Sequence, residues 1–365
     1  MPNFRADKDN PLKKLICVAL ILGAGKISLF AQSTFPQDGI SEKKSVYHLF
    51  TNAVVHAEPG LLDTTSILIG KGKVLALGDT SDMELSENTV IRNLKGYHIY
   101  PSFIELNSDY GIDSLEKRKN KPGPEYKRKD NHAYSWNEAI HPEIDGINRF
   151  SPDKKEAEAR RKMGFGYSMS QLKDGIARGS SVLVTYGEGT ANANVLKSKA
   201  ATHYSFDKGS SVQDYPSSLM GSIALLRQTF YDAIWYERAQ PTEINFSLEA
   251  INNHADLPRV FEIKDEYDLE RVSRIAEEFK MPFMVSGIGS SYQLPLSEFE
   301  GIAAIIAPLS FPEPFDVSDP DLSRYIDQSE LMHWEFAPYN PYYIEESGIP
   351  LALSAHGLEK PNEFF

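Results

Sequence analysis

The sequence is poor in the groups that usually announce chemistry. It has one cysteine, Cys17, so no disulfide can form within the chain and no cysteine-built zinc site is available. It contains no H-E-x-x-H, no C-x-x-C and no G-x-S-x-G, which removes the common zinc-hydrolase, redox and nucleophile-elbow signatures. "GKGKVLALG" and "SGIGSS" lack the spacing of a phosphate-cradling loop, and glycine turns account for both. Positive charge is scarce as well. With 38 Lys and Arg against 51 Asp and Glu, the net charge is −13, and such a surface repels nucleic-acid phosphates.

What is present fits an ordinary globular chain: 41% hydrophobic and 24% charged residues exclude a disordered or fibrous class. Its 365 residues allow two compact units, or one large barrel with a small companion domain. Residues 1–32 read as an export signal. Lys13 and Lys14 open it, Leu15 to Ala24 form an apolar core too short to span a bilayer, and Ala31 and Gln32 close it. A buried N-terminal helix is the alternative. Cys17 lies inside this leader, so the mature chain carries no thiol. Export without disulfides suits a bacterial periplasm or cell surface.

Residues 46–100 read as a small all-β unit. Ile67–Ile69 and Val74–Leu77 flank a glycine-containing turn, a hairpin signal, and "VIRNLKGYHIYP" repeats the pattern around Lys95-Gly96. Residues 112–160 differ: seven Lys or Arg lie between Lys117 and Lys129, and the segment reads as a solvated polar insertion. From about residue 165, strands alternate with helices. "SQLKDGIARG" reads as a short helix stopped at Gly179, followed by the strand Val182–Thr185. A helix opens after Ser217 and Ser218 with Leu219, Ile223, Leu226, Phe230 and Ile234 on one face. Another carries Leu269, Val272, Ala276 and Phe279. Strands are expected at "RVFEI", "PFMVSG", "AAIIAP" and "IPLALSA". This alternation predicts an α/β fold, a parallel sheet or (β/α) barrel.

In a barrel, chemistry sits where strands end. Those ends carry Glu105, Asn107 and Asp109, then Tyr186 and Glu188, Glu262 and Lys264, Ser286, Pro308 and Ser310, and finally Ala355 and His356. Asp109, Glu262 and His356 are the candidate metal ligands, since carboxylates and imidazoles are the donors a divalent ion needs. Isolated polar groups satisfied by hydrogen bonds are the bland alternative. His203, His333, Trp334 and Glu335 are weaker candidates, and "APYNPYY" could line a groove.

With these elements placed, the chain from about Tyr47 onward resembles the amidohydrolase superfamily, in its imidazolonepropionase-like, exported bacterial branch. The likeness rests on "LFTNAVVHAEPG…SILIGKGKVLALG", "NLKGYHIYPSFIELNSD", "YPSSLMGSIALLRQTFYDAIWY" and "SELMHWEFAPYNPYYIEESGIPLALSAHG". It implies a TIM-like (β/α) barrel over 101–365 entered through a small β-sandwich over 46–100, and metal-dependent hydrolysis of C–N bonds. Matched residue by residue, the family's first His-x-His pair falls on Asn107-Ser108-Asp109. Its later histidines fall near Glu262 and near Ser286 or Gly287, and its final aspartate on His356. None is retained in kind. The resemblance also implies a barrel incomplete at its C-terminus, to be covered by a second amidohydrolase-like domain or a partner chain.

Three readings stay open at this point. The domain has lost its metal and acts as a non-catalytic scaffold or binding domain, with no cofactor. Alternatively Asp109, Glu262 and His356 hold zinc or another divalent ion while Asn107 orients a substrate. In the third, His356 and Glu262 act as a metal-free acid–base pair.

Overall fold

Short runs of Val, Ile, Leu and Phe between glycine and proline stops become strands, and the longer 3.6-period stretches become helices. The computed structural model describes residues 46–58, 61–116, 123–128, 133–315, 318 and 321–358. Residues 1–45 with Cys17, residues 117–122 and 129 of the basic run, and "KPNEFF" lie outside the described residues.

Two compact units divide between Pro101 and Ser102. The first is a five-stranded sheet. β1 (Tyr47–Glu58) pairs antiparallel with β2 (Leu61–Gly70), which turns through Lys71-Gly72 into β3 (Lys73–Gly78). Both turn residues have positive φ, +52° and +72°, the backbone that a tight hairpin of this hand requires. The segment around Gly96 does not form a second hairpin. β4 (Thr89–Asn93) and β5 (His98–Ile99) each lie parallel to β1, because Leu94–Tyr97 carries the chain along β1 instead of folding it back.

In the second unit, β6 (Phe103–Ser108) and β7 (Phe165–Ser170) run parallel. A helix, α1 (Lys154–Lys162), capped by Asp153, precedes β7. β8 (Ala177–Ser180) and β9 (Val182–Thr185) follow almost without a break. β9 pairs antiparallel with β7, while β8 pairs antiparallel with β11 (Thr202–Ser205). A short helix, α2 (Ala191–Asn194), leads into β10 (Val195–Lys197), which edges β9. β11, β12 (Arg259–Glu262), β13 (Phe283–Ser286), β14 (Ile302–Pro308) and β15 (Leu351–Ser354) are parallel neighbours in that order. The unit is thus α/β, as the alternation predicts.

Helices α3 (Leu219–Ala239), α4 (Phe246–Asn253) and α5 (Glu266–Phe279) precede or follow the middle strands; α6 (Gln328–Phe336) and α7 (Asn340–Glu346) precede β15. Alternate strand residues serve two faces. Phe261, Phe283, Val285 and Ile305 join Leu226, Phe230, Leu269 and Val272 in the main core, whereas Val260 and Ile306 pack with Met169 and Ala201 on the other face. Each fully buried apolar side chain here contributes roughly 1.5–3 kcal/mol. The stripe on α5 falls where its spacing places it. That on α3 is rotated: Leu219 is exposed, and Ser222, Leu225, Leu226, Thr229, Phe230 and Ala233 face inward. Ser222 and Thr229 are polar residues on the buried face, which hydrophobic spacing alone does not register.

Two expectations need correcting. Residues 171–180 are not helical. Gly175 and Gly179 take φ of +81° and +86°, a left-handed backbone that helices exclude, and a Cβ at Gly179 would meet the Ile144 carbonyl. Nor is the 112–160 segment solvated throughout. Ala139 and Ile140 are fully buried in the main core, and the segment bridges β8 at Ile140–Ala177 and Asp145–Ser180. A few apolar residues suffice to anchor an otherwise polar stretch.

Candidate functional site

β6 supplies the base of the site. Glu105 is buried at 1% exposure and accepts three hydrogen bonds: from the Asn107 amide at 2.9 Å, the Ser354 hydroxyl at 2.6 Å and the Ala355 amide at 2.7 Å. The last two donors lie at the end of β15, so one carboxylate ties the two strand ends together. Ser354 Oγ in turn accepts from the His356 amide at 3.0 Å. Asn107, also buried, accepts from Gln171 Nε2 at 3.3 Å through its side-chain oxygen.

Two cations from the loop and strand after β7 enter this cluster. Lys173 Nζ reaches the Asn107 carbonyl at 3.4 Å and lies 3.2 Å from both ring nitrogens of His356. The ammonium is equidistant from the two nitrogens, and the tautomer decides which of them accepts. Arg178, 6% exposed, donates from Nε to the Gly175 carbonyl at 3.0 Å and forms an ion pair with Glu262 through Nη1. Ser205, Glu262 and Ser286 stand in register on β11, β12 and β13.

The electrostatics follow from this packing. Burial alone would raise the Glu262 carboxyl, yet Arg178 and Lys173 outweigh it and hold it below the usual carboxylate range. Burial, reinforced by the Arg178 charge, lowers the Lys173 ammonium, against the opposing pull of Glu262, Asp109 and Glu105. Burial and then Lys173 lower His356. His203, buried on β11, is pushed well down by burial, with Arg178 and Lys173 adding to it. Neither of its ring nitrogens has a hydrogen-bond partner.

The sequence candidates are therefore only partly brought together. Asn107, Glu262 and His356 border one cluster, and Asp109 acts on its charges from an exposed position. Tyr186 belongs to the core, where burial drives its hydroxyl up to about 12, and Glu188 is a surface partner of Arg161 at 3.6 Å. His333 bonds Tyr292 at 3.0 Å on α6, where Trp334 and Glu335 are exposed. Lys173 and Arg178 carry no weight in the sequence reading, because "LKDGIAR" reads as helix. Its signal is a glycine close behind each cation, Gly175 after Lys173 and Gly179 after Arg178.

Zinc binds carboxylate or imidazole at about 2.0–2.2 Å and needs several to converge. Glu262 is committed to Arg178, and the His356 ring faces an ammonium. Among the described residues, no three His, Cys, Asp or Glu side chains converge as a metal site. The donor set does not fit a divalent cation. Beside the cluster, between the ends of β11 and β12 and the start of α3, opens a cavity of about 700 Å³, bordered by Lys173, Arg178, Lys208, Glu262, Lys264 and Ser218.

No protein-family model matches the chain, and no curated protein matches it by sequence. Solved structures do. An amidohydrolase from Thermotoga maritima MSB8 aligns over 87% of this chain and 80% of its own, with a TM-score of 0.63 at 17% identity. A prolidase complexed with N-methylphosphonate-L-proline covers 85% of this chain and 78% of its own, with a TM-score of 0.38 at 10% identity, and a dihydroorotase covers 86% and 73%, with 0.31 at 13%. The Thermotoga likeness shows a shared fold, and the resemblance to amidohydrolases holds at that level.

Proposed function

We propose that this chain is a non-catalytic domain of amidohydrolase fold, in which two fixed side-chain cations stand where the fold's hydrolases place a metal, and that it serves as a scaffold or binding domain. The observation that carries this reading is the pair of contacts made by Arg178 and Lys173, which engage Glu262 and His356. A divalent ion brought to those groups would meet two positive charges in a partly desolvated site, where repulsion is weakly screened. In this reading the strands of the second unit close into a (β/α) barrel, the first unit is its small β-sandwich companion, and the cavity offers room for a small ligand. The leader supports work after export, in a periplasm or at a cell surface.

The competing reading is a hydrolase of C–N bonds using a rebuilt set of Asp109, Glu262 and His356, favoured by the fold shared with the Thermotoga amidohydrolase. The two separate in a hydrolysis assay on cyclic amides and dipeptides, with and without added zinc. We expect no turnover above the uncatalysed rate for wild type. Zinc-stimulated turnover that disappears in both Asp109→Ala and His356→Ala would overturn the proposal.

A further inference from the structure

Helix α6 is capped at its start and only partly covered along its length. Asp327 caps it, accepting from the Glu330 amide at 2.9 Å, while Glu330 reaches back to the Asp327 amide at 3.0 Å, a reciprocal arrangement that fixes a first turn. Yet none of its residues is buried. Leu331, Met332 and Trp334 are 44%, 47% and 42% exposed, and Tyr339 and Tyr342 beyond it 59% and 55%. Apolar residues gathered on one short helix and its continuation are unusual for a free surface.

They frame a built feature. Tyr292, from the loop after β13, packs its ring against His333, Phe336 and Tyr343 at centroid distances of 6.0–6.3 Å. Asn340 holds that loop in place, accepting from Ser291 Oγ at 2.7 Å and the Tyr292 amide at 2.9 Å. Between Tyr292, Met332, Phe336 and Tyr343 lies a groove of about 470 Å³ with a mostly apolar lining. That volume accepts one or two large aliphatic or aromatic side chains.

The helices that present the groove carry charge of one sign. From Asp327 to Glu346 there are five carboxylates (Asp327, Glu330, Glu335, Glu345 and Glu346) and no lysine or arginine, and Arg324 is the one such residue from Met281 to Leu358. Glu335, Glu345 and Glu346 are exposed, and none forms an ion pair among the described residues. Helices, not a sheet edge, present the groove, so an added strand would find no ladder to join. An apolar groove between helices is the setting in which an amphipathic helix docks.

We propose that this face binds a basic amphipathic helix of another polypeptide, its apolar side seated between Tyr292, Met332, Phe336 and Tyr343 and its lysines or arginines against Glu335 and Glu346, which stand one helical turn from Met332 and Tyr343. Charge complementarity selects this occupant: an acidic helix or an anionic membrane surface would be repelled by these carboxylates.

The test uses the full chain and two synthetic helix-forming 18-residue peptides of Leu with Lys and of Leu with Glu, titrated calorimetrically. The Lys peptide is expected to bind with a dissociation constant of about 10 µM or tighter, and the Glu peptide not to bind. Tyr343→Ala should weaken binding about tenfold or more, as loss of a central aromatic anchor does. The double change Glu335→Lys and Glu346→Lys should do the same, with circular dichroism unchanged from wild type in both variants. Absent binding, equal binding of the Glu peptide, or binding indifferent to both variants, as a diffuse attraction to the acidic surface would give, overturns the proposal. So does a chain that self-associates through this face, with Tyr343→Ala returning it to monomer.

Discussion

Glu105→Ala is expected to cost about 4 kcal/mol of stability. The carboxylate is buried and takes three donors. Hydrogen bonds to a charged acceptor are worth roughly 1.5–3 kcal/mol each, and a buried donor left unpaired costs about 1–3 kcal/mol. Some relaxation at the end of β15 reduces the sum. For a domain of this size the melting temperature should fall on the order of 10 °C. Glu105→Gln keeps the shape and one acceptor oxygen but turns an NH2 toward donors, so it should lose about half as much. Urea unfolding of the three proteins measures this. A loss under about 1 kcal/mol in Glu105→Ala would show that β6 and β15 do not depend on this carboxylate. Because Ser354 connects Glu105 to the His356 amide, the same variant should also disturb the His356 imidazole signals in NMR spectra.

Arg178→Met should cost about 3 kcal/mol at pH 7, the low end for breaking a buried pair from one side, since the Glu262 side chain keeps 24% exposure. The pH dependence identifies the cause. In the wild type the Glu262 carboxyl titrates below its ordinary value, so on acidification the unfolded chain takes up this proton before the folded one. Its stabilising contribution is therefore complete above the ordinary carboxylate range and is lost as pH falls through the depressed folded value. Without Arg178, burial outweighs the remaining Lys173 charge, and the folded carboxyl titrates higher than in the wild type. The deficit of Arg178→Met relative to wild type is thus widest near neutrality and narrows below about pH 4.5. Adding Glu262→Gln to the variant should restore part of the loss at pH 7 by removing the uncompensated charge. A deficit that stays constant from pH 7 to pH 4 would place the effect in lost packing, not in the ion pair.

Much of the scaffold is legible in the sequence because it depends on local pattern. The parallel strands from "RVFEI" to "IPLALSA", the α5 stripe and the Ser218 cap all follow from spacing and end signals. The site is less legible, because its decisive contacts are long-range. Glu105 and Ser354 are 249 positions apart, and Arg178 and Glu262 are 84 apart; neither pair has a local signature. Lys173 and Arg178 were hidden for a different reason. Their segment contains good helix formers, and only the left-handed Gly175 and Gly179 show that the chain turns twice to bring both cations to the strand ends. That Asn107–Asp109 holds no His-x-His is legible in the sequence; the contacts of Lys173 and Arg178 are not.

The central claim is that fixed cations have taken the place of a metal. Plasma mass spectrometry on the chain, purified without a metal-affinity tag and dialysed against 50 µM zinc and then against metal-free buffer, tests it most directly. The account predicts less than about 0.1 zinc per folded chain, where a site of three or four protein ligands would retain about one. Near-stoichiometric zinc, lost in Asp109→Ala and in His356→Ala, would contradict it and establish the rebuilt hydrolase site.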